Sequence, residues 1–202
     1  YTWWAQRRGF LRNTLNAGRC DVVMGIPADV ERALTTEPYY RSTYVMVYPA
    51  GAGYAPGSLD DPVLRRLRIG VHLIGDDGIN PPPVHELSER GITDNVVGYP
   101  IYGDYREPNP PARLIEAAAT GEVDLAIAWG PVGSYFAARQ DRPMRVVPLQ
   151  GDRLPFAFSI AMGVRKNDTA LRDRLQAALE RHRREVQGLL AAYRIPQGGQ
   201  DA

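Results

Sequence analysis

Three short segments carry side chains that could do chemistry. In Thr35-Thr36-Glu37-Pro38-Tyr39-Tyr40-Arg41-Ser42, two phenol rings stand next to a guanidinium. Tyr39 and Tyr40 offer flat faces for stacking on a ligand, and Arg41 offers a planar fork that can clamp a carboxylate. The same residues also have a plain reading, with the rings packing between elements and Arg41 neutralising Glu37 or Asp21. The second segment, Gly75-Asp76-Asp77-Gly78-Ile79-Asn80, runs into Pro81-Pro82-Pro83, and proline suits the first turn of a helix. Free N–H groups at a helix start attract anions, but Asp76 and Asp77 would compete there with an anionic ligand. Their oxygens suit a hard cation such as calcium or a lanthanide, and they also suit capping of the helix. The third segment, Trp129-Gly130-Pro131, ends an apolar strand at its carboxyl edge, the edge where open α/β sheets bind ligands.

A catalytic set is not recognisable. His72, His85 and His182 show no metal-ligand spacing, and His85-Glu86 lacks the second histidine of a zinc motif. Ser42, Ser58, Ser88, Ser134 and Ser159 have no nucleophile-elbow context. Gly51-Ala52-Gly53 follows a strand but leads into proline, unlike a phosphate-binding loop. The reading is therefore non-enzymatic, with no metal and no cofactor. The basic run Arg181-His182-Arg183-Arg184 reads as a solvated helix face. Gly103-Asp104-Tyr105-Arg106-Glu107-Pro108-Asn109-Pro110-Pro111 is a proline-rich loop, either a connector or a partner-binding lip.

The elements that must position these residues follow a repeated pattern. Leu15-Asn16-Ala17-Gly18-Arg19-Cys20-Asp21-Val22-Val23-Met24-Gly25 returns as Ala118-Ala119-Thr120-Gly121-Glu122-Val123-Asp124-Leu125-Ala126-Ile127-Ala128-Trp129-Gly130. Each copy predicts a helix stopped by a left-handed glycine, a turn closed by aspartate, and an apolar strand buried on both faces. Helix and strand signals then alternate along the chain, which predicts parallel sheet covered by helices. A strand is expected over Tyr1 to Trp4, a helix over Gly9 to Ala17, a helix over Leu59 to Leu67, and one long helix over Ala170 to Tyr193. If the extended segments Tyr44 to Tyr48 and Phe156 to Val164 act as a double hinge, residues 1–48 with 156–202 form one α/β lobe and residues 49–155 a second. Closure of two lobes about such a hinge is a familiar ligand-binding motion.

The 202 residues, 44% hydrophobic and 23% charged, fit a globular protein of one large or two small domains. A net charge of +1 gives no electrostatic reason to expect nucleic acid. No apolar run approaches a bilayer span, so membrane insertion is not expected. The β-rich opening Tyr1-Thr2-Trp3-Trp4 has no polar lead-in, and the chain reads as a fragment lacking an N-terminal piece.

Long ungapped stretches carry a resemblance. Gln6-Arg7-Arg8-Gly9-Phe10-Leu11-Arg12-Asn13-Thr14-Leu15-Asn16-Ala17-Gly18, Cys20-Asp21-Val22-Val23-Met24-Gly25-Ile26-Pro27 and the Thr35-to-Tyr44 segment resemble the MxaJ/XoxJ family. So do Gly75-Asp76-Asp77-Gly78, Asn109-Pro110-Pro111-Ala112-Arg113 and Ala128-Trp129-Gly130-Pro131. These are solute-binding-like proteins associated with quinoprotein methanol dehydrogenases; more distantly, the layout is similar to amino-acid-binding proteins of ABC importers. The resemblance implies a bilobal type II periplasmic-binding-protein fold and a periplasmic location. It implies an accessory role in assembly, maturation or activation of a dehydrogenase that uses pyrroloquinoline quinone, the enzyme being the partner and its cytochrome c a second candidate. The alternative is a receptor that delivers a small polar or amphipathic solute to an importer through a cleft lined by Tyr39, Tyr40, Arg41, Asp76, Asp77 and Trp129. It further implies that a strand and helix precede residue 1, and that a cysteine of that strand is the disulfide partner of Cys20.

Overall fold

The computed structural model describes residues 1–2, 9–73, 80–100, 108–151 and 153–196. The chain divides into two compact units. Unit 1 contains Tyr1–Ser42 and Phe158–Ala192, and unit 2 contains Thr43–Ala157 with the residues from Tyr193 onward.

Unit 1 begins with Tyr1 and Thr2 outside any strand; Trp3 and Trp4 lie outside the described residues. The first helix, α1, covers only Phe10–Asn13; beyond it Asn16 donates its N–H to the Leu11 carbonyl five residues back, at 2.9 Å, and the α-helical ladder stops. Strands β1 (Val23–Pro27) and β2 (Leu34–Thr35) both pair antiparallel with β8 (Ala157–Val164). Antiparallel strands need only one covered face, and β1 buries Val23 and Ile26 while Met24 and Gly25 between them are exposed, across an irregularity in its register with β8. The expectation of a strand buried on both faces over Cys20 to Gly25 fails for this reason. The predicted long C-terminal helix is two, α5 (Thr169–Arg181) and α6 (Arg183–Ala192), broken at His182 within the basic run. Neither helix buries a residue fully.

Unit 2 is a sheet in the order β5-β4-β6-β3-β7. The strands are β3 (Tyr40–Pro49), β4 (Ile69–Leu73), β5 (Val96–Pro100), β6 (Leu125–Trp129) and β7 (Met144–Pro148). Strands β4, β5 and β6 are parallel, as the alternation predicts, while β3 runs antiparallel to both β6 and β7. Three helices cover it: α2 (Pro82–Glu89), α3 (Arg113–Thr120) and α4 (Gly130–Ala137). The expected helix over Leu59 to Leu67 is a 3-10 turn at Pro62–Arg66, capped by the Asp61 side chain on the Val63 N–H.

Side-chain alternation on the unit 2 strands makes two cores. Met46, Tyr48, Ile69, Val71, Leu125 and Ile127 face one way, with Leu64 and Leu87 packed on them. Val45, Val47, Ala126 and Ala128 face the other way, against Leu114, Ile115 and Ala137 of α3 and α4. The second face is built from small residues, and helix α4 lies close to it. A Cβ at Gly133 would stand 2.6 Å from Val45 Cγ2. Among the described residues, no helix is long and apolar enough to cross a membrane.

The repeated pattern survives at its turns. Gly18 and Gly121 have φ of 68° and 83°, the left-handed values that glycine adopts without strain. The two aspartates also act alike, each holding a neighbouring arginine: Asp21 pairs with Arg165 at 2.7 Å, and Asp124 accepts the Arg68 backbone N–H at 2.7 Å.

Candidate functional site

The Thr36-to-Arg41 segment is anchored in unit 1 by a dense set of backbone bonds. Thr36 donates its N–H to the Met162 carbonyl at 3.0 Å and accepts the Met162 N–H on its hydroxyl at 3.1 Å. Glu37 N–H donates to Gln176 Oε1 of α5 at 2.9 Å, and Tyr39 N–H donates to the Ile160 carbonyl at 2.9 Å. Tyr39 then donates its hydroxyl to the Met24 carbonyl of β1 at 2.5 Å. Burial, with the neighbouring Tyr40 adding to it, pushes the Tyr39 phenol up to about 12, so it stays a neutral donor. The Tyr40 ring meets Tyr39 edge-on, with centroids 5.0 Å apart at 65°. Tyr40 and Arg41 open β3, half-buried and engaged in contacts. Asp21 already has Arg165 as its counter-charge. Beside Tyr39, a concavity lined by Glu37, Gln176, Leu179 and Arg183 holds about 70 Å³, well below the size of clefts that enclose small ligands.

Trp129 belongs to unit 2. It ends β6 and takes the extended conformation that starts α4, with Pro131 in the first turn. Tyr44 is its register partner on β3. The two rings meet edge-on at 5.3 Å, and Tyr44 meets Phe156 in the same manner at 6.2 Å. Tyr44 is thus the residue that sequence reasoning did not join to Trp129. A cross-strand pair depends on long-range register, and only the aromatic content of the Tyr44 strand hinted at it. Asp76 and Asp77 lie outside the described residues.

Two buried polar groups sit deeper in unit 2. Glu86 of α2 is 1% exposed; it pairs with Arg90 one turn on and accepts the Leu154 N–H at 3.1 Å. Arg90 also reaches Asp60 at 2.7 Å, and its guanidinium holds both carboxyls below their ordinary range. Charges satisfied in this way form a structural brace tying α2 to the segment before β8, with no proton poised for transfer. The concavity beside it, about 260 Å³, is lined by Ser58, Asp60, Gln150 and Phe156 as well. His72 on β4 is 5% exposed, and its Nε2 has no hydrogen-bond partner among the described residues. Desolvation pushes its pKa down to about 4, against a smaller upward pull from the Pro111 backbone. Cys20 is a free, half-buried thiol. Among the described residues, no group of three His, Cys, Asp or Glu side chains is placed to hold a metal.

The candidates therefore divide: Tyr39, Tyr40 and Arg41 share one well-anchored segment of unit 1, and Trp129 stands with Tyr44 and Phe156 in unit 2. Their chemistry is aromatic and cationic, suited to recognition.

Comparison with known proteins places this architecture. The protein MoxJ of Methylorubrum extorquens is 31% identical over 201 residues, covering 92% of this chain and 65% of its own length, so the chain spans just under two thirds of that relative. The crystal structure of the periplasmic binding protein XoxJ from Methylobacterium extorquens AM1 is 30% identical, covers 99% of this chain and 82% of its own, and superposes with a TM-score of 0.76. The crystal structure of MxaJ from Methlophaga aminisulfidivorans MPT, at 22% identity, covers 94% of this chain and 81% of its own with a TM-score of 0.79. The fold is the α/β periplasmic-binding-protein fold. No family model matches the chain.

Proposed function

The chain belongs to the MxaJ/XoxJ family of periplasmic binding proteins, and from that premise we propose that it is a non-enzymatic accessory protein of a quinoprotein methanol dehydrogenase. The family associates it with methanol oxidation. In this reading the protein works in the periplasm, and its surface contacts the dehydrogenase to assist assembly, maturation or activation.

The observation that carries the reading is the match to XoxJ, which covers 99% of this chain. The state of Tyr39 supports it. A receptor needs polar groups available to the solute, whereas the Tyr39 hydroxyl is already committed to the Met24 carbonyl.

The test is genetic and biochemical. Disrupting the gene should leave dehydrogenase polypeptide present but poorly active, complementation should restore activity, and tagged protein should co-purify with the dehydrogenase. Full activity in the disrupted strain, together with no co-purification, would refute the proposal. Stabilisation that grows with the logarithm of an added solute's concentration would identify an importer receptor instead.

A further inference from the structure

Unit 2 carries a second surface, where the end of α4 lies beside β7. Tyr135 of α4 stacks on Tyr193, with centroids 5.0 Å apart and planes only 14° from parallel. Arg139, just past the end of α4, lays its guanidinium carbon 3.5 Å from the centre of the Tyr135 ring. An arginine and two tyrosines layered in this way form a flat, preorganised contact surface, and these two residue types dominate the energetics of protein interfaces.

Ser134, Ala138 and Arg194, the sequence neighbours of Tyr135, Arg139 and Tyr193, line a concavity of about 430 Å³. Its walls include Ala137, Pro143, Met144 and Val146, which are apolar, and the arginines Arg142 and Arg194. Among the described residues, no acidic side chain lines it. Arg194 holds a left-handed backbone, φ 52°, uncommon for a residue with a side chain. That turn directly follows Tyr193, so one short segment supplies both the stacked ring and a cationic wall.

The arginines of this face differ from those built into ion pairs elsewhere in the chain. Arg68, Arg90, Arg113 and Arg165 each meet a carboxylate. Among the described residues, Arg139, Arg142 and Arg194 form no ion pair, and all three are exposed. Asp141 precedes Arg142 in the chain but forms no ion pair with it, and it does not line the concavity. Two arginines over an apolar floor, with no acid in the wall, match a ligand that presents a carboxylate next to an apolar side chain.

We propose that this face of unit 2, formed by Tyr135, Arg139, Arg142, Tyr193 and Arg194 around the concavity, docks an acidic polypeptide segment in which carboxylates flank an apolar or aromatic anchor. The anchor fills the pocket floored by Met144 and Val146, and the flanking carboxylates meet Arg142 and Arg194. The apolar lining and the stacked rings next to it in sequence favour a polypeptide over a free anion, which would use the arginines alone.

Fluorescence polarisation tests this with a labelled, end-capped pentapeptide alternating glutamate with leucine and phenylalanine, compared with its glutamine analogue. Saturable binding is expected, weakened by added salt, with the glutamine analogue and the Arg142→Glu/Arg194→Glu protein each at least about tenfold weaker. Tyr193→Ala should also weaken binding. All three altered residues are exposed, and an unchanged melting temperature checks that the variants fold. The proposal is overturned by no saturation up to about 1 mM peptide, the weak end of specific recognition. It is equally overturned if the double variant binds as tightly as the original protein. Displacement of the peptide by inorganic phosphate at equal concentration would overturn it too, since the face would then recognise a small anion only.

Discussion

Replacing His72 by phenylalanine should remove an acid-sensitive term from the stability of unit 2. The imidazole is 5% exposed, its Nε2 has no partner among the described residues, and burial lowers its pKa from 6.5 to about 4 while the Pro111 backbone opposes the shift. Tyr99, its register partner on β5, is tied to Glu122 at 2.8 Å, and Glu122 in turn to Arg113 at 2.6 Å. That carboxyl is held below its ordinary range, mainly by the Tyr99 hydroxyl and then by Arg113. The sign follows from proton counting. Between pH 6.5 and about 4 the unfolded chain protonates this histidine while the folded chain does not, so stability falls as the pH drops through that window and levels off below it. At about 1.4 kcal/mol per unit, the full loss is about 3 kcal/mol. That is a large part of a domain's net stability, typically about 5–15 kcal/mol. Urea unfolding of both proteins across the window isolates the effect, because the carboxylates common to the two cancel in the difference. Parallel stability curves for His72→Phe and the original protein would refute the reasoning.

Three further substitutions test the brace, the close helix packing and the anchored segment. Glu86→Ala strips Arg90 and the Leu154 N–H of a buried partner and should cost about 3 kcal/mol in urea unfolding. Gly133→Val forces a side chain against Val45 where even a Cβ is too close, and should lower stability by about 1–3 kcal/mol, read as a fall in melting temperature. Tyr39→Phe removes only the hydroxyl bonded to Met24, and about 1 kcal/mol of unit 1 stability should go with it, measured by denaturant midpoint at unchanged slope.

Local signals were legible where local physics decides. Gly18 and Gly121 mark their turns because left-handed backbone favours glycine in any context, and strands β4 to β7 fall where their β-branched and apolar runs predict. What failed depended on distant partners. The Cys20-to-Gly25 run resembles Val123-to-Trp129 in its aspartate and the apolar stretch after it, yet only the second is covered on both faces, because coverage is set by what packs above and below. The direction of β3 against β6 and β7, and the meeting of Tyr44 with Trp129, are likewise matters of register. At the candidate site, residue types identified Tyr39 as able to stack or donate. The carbonyl that takes its proton lies 15 positions away, beyond the reach of any spacing rule.

The path of the chain bears on how the protein is made. Unit 2 has almost all of its sequence in one uninterrupted block, Thr43–Ala157, whereas unit 1 is split, and strand β8, which bridges β1 and β2, is added only after that block ends. As the polypeptide emerges from the ribosome or a translocation channel, the central block can close its two cores first, while the leading forty-odd residues wait without their pairing strand. Chaperone demand should therefore concentrate on that early-made, late-folded portion, and a released chain ending at residue 157 should already protect the amides of β4 and β6 but not those of β1.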